Sequence, residues 1–168
     1  MNFELKKWNF DYVDDVVKFA NDKQISENIV DNFSYPATYQ EARYYVKQRA
    51  MNNEQKQACR AIVIDGHAIG GIDILIGDGI YSKSAEVVIW VAEKYRNQGI
   101  GSQVIKQMCN YVFENYGIMR VSARLCSNND IFIKTLTKVG FKYEGTIRKS
   151  VYKNNNYYDY CIYALLKE

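Results

Sequence analysis

The sequence predicts an α+β chain built on one mixed sheet, and three observations carry that prediction. Apolar runs at 59–64 and 68–76 flank Asp65-Gly66, and strand-like runs at 141–152 and 157–166 flank Asn154-Asn155-Asn156; both are hairpin signals. Residues 85–102 pass from an apolar run, 87–91, through a polar glycine turn into helical spacing at Ile100, Val104, Met108, Tyr111 and Val112. Residues 120–126 are short and alternate Val121, Ala123, Leu125, so they read as a strand. A strand, a helix and a second strand in that order form a right-handed parallel crossover.

Taken in order, 3–8 alternates weakly and reads as a first strand. Asp11 precedes Tyr12, Val13, Val16, Val17, Phe19 and Ala20 at helical spacing and is placed to cap that helix, with Asp14 and Asp15 in its first turn. A short helix is expected over 25–30 and a loop over 32–36, where Pro36 restricts Tyr35. Thr38-Tyr39-Gln40-Glu41 is a capping-box pattern and opens a helix to about Met51. Gly77-Asp78-Gly79 turns the second apolar run into a third strand over 84–91, and His67 falls on a strand just after the Asp65-Gly66 turn. The glycine-turn helix ends near Tyr116-Gly117. Asn128-Asn129-Asp130 starts a last helix, with Ile131, Ile133, Leu136 and Val139 apolar and Gly140 as its stop.

Composition narrows the function. A chain of 168 residues with 48% hydrophobic and 24% charged residues fits one globular domain, 1–168. A net charge of +3 is too small, and too dispersed, for a nucleic-acid binder. No run reaches the ~18 apolar residues of a membrane span, and residues 1–4 show no secretory signal. Cys59, Cys109, Cys126 and Cys161 are far apart, so reduced, mostly buried thiols in a cytosolic protein are expected. His67 is the only histidine, which disfavours a His-based metal cluster or a triad built on it.

The glycine turn, Arg96-Asn97-Gln98-Gly99-Ile100-Gly101, stands where a helix begins. The first amides of a helix have no internal partners, carry the positive end of its dipole, and can be approached closely where Cβ is absent. Two readings follow: a phosphate cradle, or a turn with glycines for tight packing. The spacing matches neither the Walker loop nor the dinucleotide fingerprint. It resembles the Gln/Arg-x-x-Gly-x-Gly/Ala signature of the GCN5-related N-acetyltransferases, the GNAT superfamily. Asn129, Lys134 and Lys138 ahead of Gly140-Phe141 resemble the Asn-x-x-Ser-x-Arg-x-x-x-Lys-x-Gly-Phe pattern of its RimJ/RimL-type ribosomal-protein acetyltransferases, and Glu144-Gly145-Thr146, Arg148 and 154–159 continue the likeness.

The resemblance implies a seven-stranded mixed sheet flanked by about four helices and acetyl transfer from acetyl-CoA to an amine, without a metal. A bulge in the central strand would part it from its parallel neighbour, so that amides near Ile89, Trp90 and Val91 pair with the pantetheine arm. The diphosphate would rest on the turn from Asn97 through Gln98, Gly99, Ile100 and Gly101 to Ser102, with charge from Arg96. Asn129 would bond the arm, and Phe132 stands beside it where the family carries Ser. Lys134 is either a contact to a CoA phosphate or an exposed lysine. The Val91 amide would hold the oxyanion. Glu86 either accepts the amine proton or faces solvent or a basic neighbour. The Tyr that many relatives use to protonate the thiolate is Leu136 here. The acceptor wall is assigned to Tyr35, Tyr39, Tyr152, Tyr157 and Asp159, for a protein N-terminus, polyamine, aminoglycoside or other small amine. The chain is expected as a monomer or homodimer. The alternative is a non-catalytic CoA-binding sensor or interaction module of the same fold.

Overall fold

A computed structural model describes residues 2–28 and 33–168. The described elements are β1 (Glu4–Lys6), α1 (Val13–Phe19), α2 (Lys23–Asn28), α3 (Tyr39–Ala50), β2 (Gln57–Ile64), β3 (His67–Ile76), β4 (Ser84–Val91), α4 (Ile100–Asn115), β5 (Arg120–Cys126), α5 (Asp130–Val139), β6 (Lys142–Lys153) and β7 (Asn156–Leu166). The strands form one seven-stranded sheet in the order β1-β2-β3-β4-β5-β7-β6. Every neighbouring pair is antiparallel except β4 and β5. This is the mixed sheet the hairpins and the crossover predict.

Period-two alternation divides the side chains between two cores. Ala85 and Val87 of β4, with Val121, Ala123 and Leu125 of β5, pack under Val104, Ile105, Met108 and Val112 of α4. Trp90 of β4 points the other way, into a core with Trp8, Tyr12, Val16, Phe33, Tyr45 and Val46. The sheet is thus sandwiched between the α4–α5 layer and the α1–α3 layer. All four cysteines are free and buried; burial pushes the Cys109 thiol up to about 12.

Several local expectations are corrected. The first strand is only Glu4–Lys6, because Trp8 turns into the second core. Asp11 does not cap α1: Asn9 caps a 3₁₀ turn, Phe10–Tyr12, by accepting from the Asp11 amide, and α1 continues from that turn. The short helix begins at Lys23 rather than Ile25, and residues 29 and 30 of its expected span, like residue 32 of the expected loop, lie outside the described residues. The capping box on α3 forms as read, with Thr38 and Glu41 each accepting from the other's backbone amide. Asn129 caps α5, and Gly140 ends it at φ 109°.

Candidate active site

β4 and β5 hold the centre of the sheet together over three register pairs only: Ser84–Arg120, Ala85–Val121 and Glu86–Ser122. Beyond Glu86 the strands part. β4 runs on to Val91 against β3 alone, while β5 runs on to Cys126 against β7. The open edge of β4 is defined by pairing parity. The Ala92 amide donates to the Ile69 carbonyl, and the Gly77 amide to the Ser84 carbonyl. Even-numbered residues of β4 therefore turn their peptide groups to β3, and Val87, Ile89 and Val91 turn theirs into the wedge.

That parity corrects one assignment. Trp90 pairs across β3 with Gly71, so its amide is not offered to a ligand; its indole donates to the Tyr45 hydroxyl at 2.9 Å. A second correction concerns the bulge. β4 pairs with β3 without a register shift; the shift lies between β2 and β3, where Ile62 meets Gly70 but Val63 meets Ala68. The bulged residue is Ile69. Gly70 follows it because a Cβ there would lie 2.5 Å from the Trp90 carbonyl oxygen. β3 thereby sits tight on the far side of β4, and the parting of β4 from β5 needs no bulge in β4 itself.

At its upper end β4 delivers the chain to the glycine turn. Asn97 (φ 60°) and Gly99 (φ 78°) are both left-handed, a conformation that turns successive amides to one side. Among the described residues no acceptor is placed on the amides from Asn97 to Ser102; the first bond of α4 is from the Gln103 amide to the Gly99 carbonyl at 3.2 Å. The Ser102 hydroxyl folds back onto the Gly99 carbonyl at 2.9 Å. Gln98 turns its side chain to the Lys94 carbonyl, and the Ile100 side chain is in the core, so these two positions have only their amides to offer.

Arg96 departs from its expected role. Its Nε donates to the Val91 carbonyl at 2.8 Å, Nη1 to Gln24 Oε1 at 2.7 Å, and Nη2 to the Asp22 carboxylate. With Asp22 beside it, a mostly buried guanidinium has its charge balanced by a carboxylate rather than by the turn above it. Arg96 ties the end of β4 to the start of α2.

The wedge opens into a cavity of about 750 Å³. Ile89, Val91, Gly99, Gly101, Ser102 and Asn97 line it from β4 and the turn, and Asn129, Phe132, Lys134, Thr135 and Lys138 from α5. Asn129 spends its Oδ1 on the Phe132 amide at 3.2 Å. At the apex of the wedge Glu86 and Arg124 face each other. Arg124 Nε lies 3.0 and 3.1 Å from the two Glu86 oxygens, and Nη2 lies 2.6 Å from Oε2. The hydrogen bond and the charge of Glu86 hold the Arg124 guanidinium above its usual pKa. Of the two readings of Glu86, the basic partner is present, yet the carboxylate also lines the cavity.

The residues expected to wall the acceptor do not line the cavities. Tyr152, Tyr157, Tyr35 and Tyr39 are 61%, 65%, 59% and 55% exposed and line neither this cavity nor a second one of about 430 Å³ beside it. Asp159 accepts from the Lys149 amide at 2.7 Å, holding the β6–β7 hairpin. Because side chains alternate along a strand, it is Tyr158, Tyr160 and Val151 that face the cavities. Sequence reasoning missed Arg124, Tyr160, Gln24 and Asn28. Arg124 carried no signal: it shares a face of β5 with Ser122, but that Ser122 pairs with Glu86 is seen only in the sheet. The position that relatives fill with Tyr, Leu136, is fully buried in the core.

A family model described as "Acetyltransferase (GNAT) domain" matches residues 2–142. The chain belongs to the GNAT acetyltransferase family. A curated relative from Bacillus subtilis (strain 168), "Uncharacterized N-acetyltransferase YoaA", is 34% identical over 77 residues, 46% of this chain and 43% of that protein. Less than half of that GNAT relative's length is therefore matched. The fold superposes on the RimL ribosomal L7/L12 α-N-protein acetyltransferase in complex with coenzyme A, with a TM-score of 0.85 at 18% identity, covering 99% of this chain and 94% of that one. It also superposes on the microcin C7 self-immunity acetyltransferase MccE in complex with acetyl-CoA and AMP, with a TM-score of 0.83 at 19% identity, covering 98% and 92%. Among the described residues no cluster of His, Cys, Asp and Glu could hold a metal ion, and no helix is long and apolar enough to cross a membrane.

Proposed function

We propose that the protein transfers the acetyl group of acetyl-CoA to a primary amine by direct attack on the thioester. One observation carries this reading: the unpaired edge of β4 leads, through a hydrogen-bonded turn at Glu93–Tyr95, to a run of unpaired amides at the start of α4. A pantetheine arm carries amides that pair with an open strand edge, and a diphosphate needs amide donors at a helix N-terminus. The Ile89 peptide group takes the arm, beside a Val91 carbonyl already held by Arg96 Nε, and the amides of Asn97 to Ser102 take the diphosphate. Asn129 offers its Nδ2 to the arm, Phe132 packs beside it, and Lys134 meets a phosphate from the exposed face of α5.

In the reaction the amine nitrogen bonds to the acetyl carbon, the C–S bond breaks, and the thiolate leaves with the electron pair. The Val91 amide is the donor nearest the developing oxyanion. Glu86 takes the proton that the amine gives up, directly or through water. With Leu136 at the usual donor position, water protonates the thiolate. The relative RimL acts on a protein N-terminus, and the acceptors open to this chain are a protein N-terminal amine or a small amine. The second reading, a CoA-binding sensor without turnover, draws on Leu136 and on the hold of Arg124 over Glu86. An amine panel assayed for release of the free CoA thiol separates the two. Turnover on any amine is the expected result; an acetyl-CoA-induced thermal shift with no turnover on the panel supports the sensor, and no shift at all overturns both.

A further inference from the structure

We infer that the Glu86–Arg124 pair is the acceptor subsite, and that it selects an amine carrying an anionic group a few bonds away, as in an α-amino acid, over a plain amine. This rests on the acetyl-transfer reading and names the substrate class of that same site.

The pair is not a surface ornament. It lines the cavity at the point where β4 and β5 part, together with Leu75, the register partner of Glu86 on β3, and Tyr160. Glu86 is the last residue of β4 to pair with β5, and Arg124 stands two residues beyond its partner, on the same face. Two strands that have lost their backbone bonds are thus bridged by side chains. The Glu86 side chain is 25% exposed and that of Arg124 53%, so the carboxylate is the more enclosed member.

An incoming ammonium competes with Arg124 for Glu86. If the acceptor brings only a cation, that exchange leaves Arg124 facing the ammonium with no counter-ion, and like charges at that range repel. If the acceptor also brings an anion, the two pairs exchange partners: ammonium to Glu86, anion to the Arg124 guanidinium. No charge is left uncompensated, and the planar guanidinium takes a carboxylate or phosphonate by the same fork it now gives Glu86. Glu86, released from Arg124, is then free to take the amine proton. Acceptor recognition and the availability of the base are one event. Arg124 is in this sense a positioning residue for Glu86.

The test uses the full chain, acetyl-CoA and a set of amino acids, each as free acid, methyl ester and carboxamide, with spermidine and a short C-terminally amidated peptide lacking acidic side chains as plain amines. A thermal shift with acetyl-CoA is measured first; its absence sinks the acetyl-transfer reading and this one with it. With the shift present, the free acid is expected to exceed its ester in kcat/KM by about tenfold or more, chiefly through KM, because a site built for a charged group rejects the analogue that lacks it. In Arg124→Gln the acid-to-ester ratio should fall toward one while the acetyl-CoA shift is kept, and Arg124→Lys should restore part of the ratio. Esters, spermidine or peptide used as well as the acid by the native enzyme, or a ratio unchanged in Arg124→Gln, overturn the acceptor assignment and leave acetyl transfer standing.

Discussion

Glu86 has a direct test. Replacing it by Gln keeps the side-chain shape and removes the proton acceptor. The expected outcome is a fall in kcat/KM of about 10²-fold with the acetyl-CoA thermal shift retained; an unchanged value removes Glu86 from the mechanism. The two glycines of the turn should differ. Gly99 holds φ 78°, where an added Cβ meets nothing nearer than Gln103 at 3.7 Å. Gly99→Ala is therefore strained rather than crowded, and is expected to lower stability by about 1 kcal/mol and weaken CoA binding. Gly101 is helical, its Cβ would sit 3.6 Å from Thr135, and Gly101→Ala should fold at least as well as the native chain, in line with the alanine some relatives carry there. Thermal melts with and without acetyl-CoA check both. Residue identity let the turn itself be read from the sequence, because Gly99 and Gly101 stand between an apolar run and helical spacing. It did not reveal Arg96's partners, since a guanidinium reports its charge in the sequence but not which of several carboxylates it will meet.

At the level of single elements, β4 presents alternate amides to different surroundings. Amide hydrogen exchange at Ile89 and Val91 should be fast in the free protein and slow at Trp90, whose amide is bonded to β3; acetyl-CoA should slow the first two and leave Trp90 unchanged. Equal protection at all three before ligand is added would contradict the open edge. In α3, bonds from the Thr38 amide first, then from the Thr38 and Ser34 hydroxyls, hold the Glu41 carboxyl below its usual pKa. Its folded pKa is depressed, so the stability it contributes is present above the unfolded value and fades as pH falls through the folded one. Glu41→Gln should flatten that part of the acid-denaturation profile, and Thr38→Ala should lower stability by about 1 kcal/mol. The capping box was legible because it is local in sequence. Which tyrosines line the cavities was not: Tyr157 and Tyr158 look alike in the chain, and only the register with β6 decides which faces inward.

For the whole molecule, acetyl-CoA at about 100 times its Kd should add about 2.7 kcal/mol to the folded state, read as a rise in Tm. The order of strands was legible because hairpin signals and one crossover leave few ways to close a sheet. Where the centre of that sheet opens was not, because pairing between β4 and β5 is a contact between distant parts of the chain and leaves no mark on either strand alone. The same three pairs, Ser84 to Glu86 against Arg120 to Ser122, divide the sheet into a β1–β4 panel and a β5–β7–β6 panel. Each panel carries one chain terminus. Pulling on the two ends in a force experiment should therefore tear the sheet along this short perforation once β1, held to β2 by three pairs of its own, has peeled away, and a cofactor lodged across it should act as a rivet.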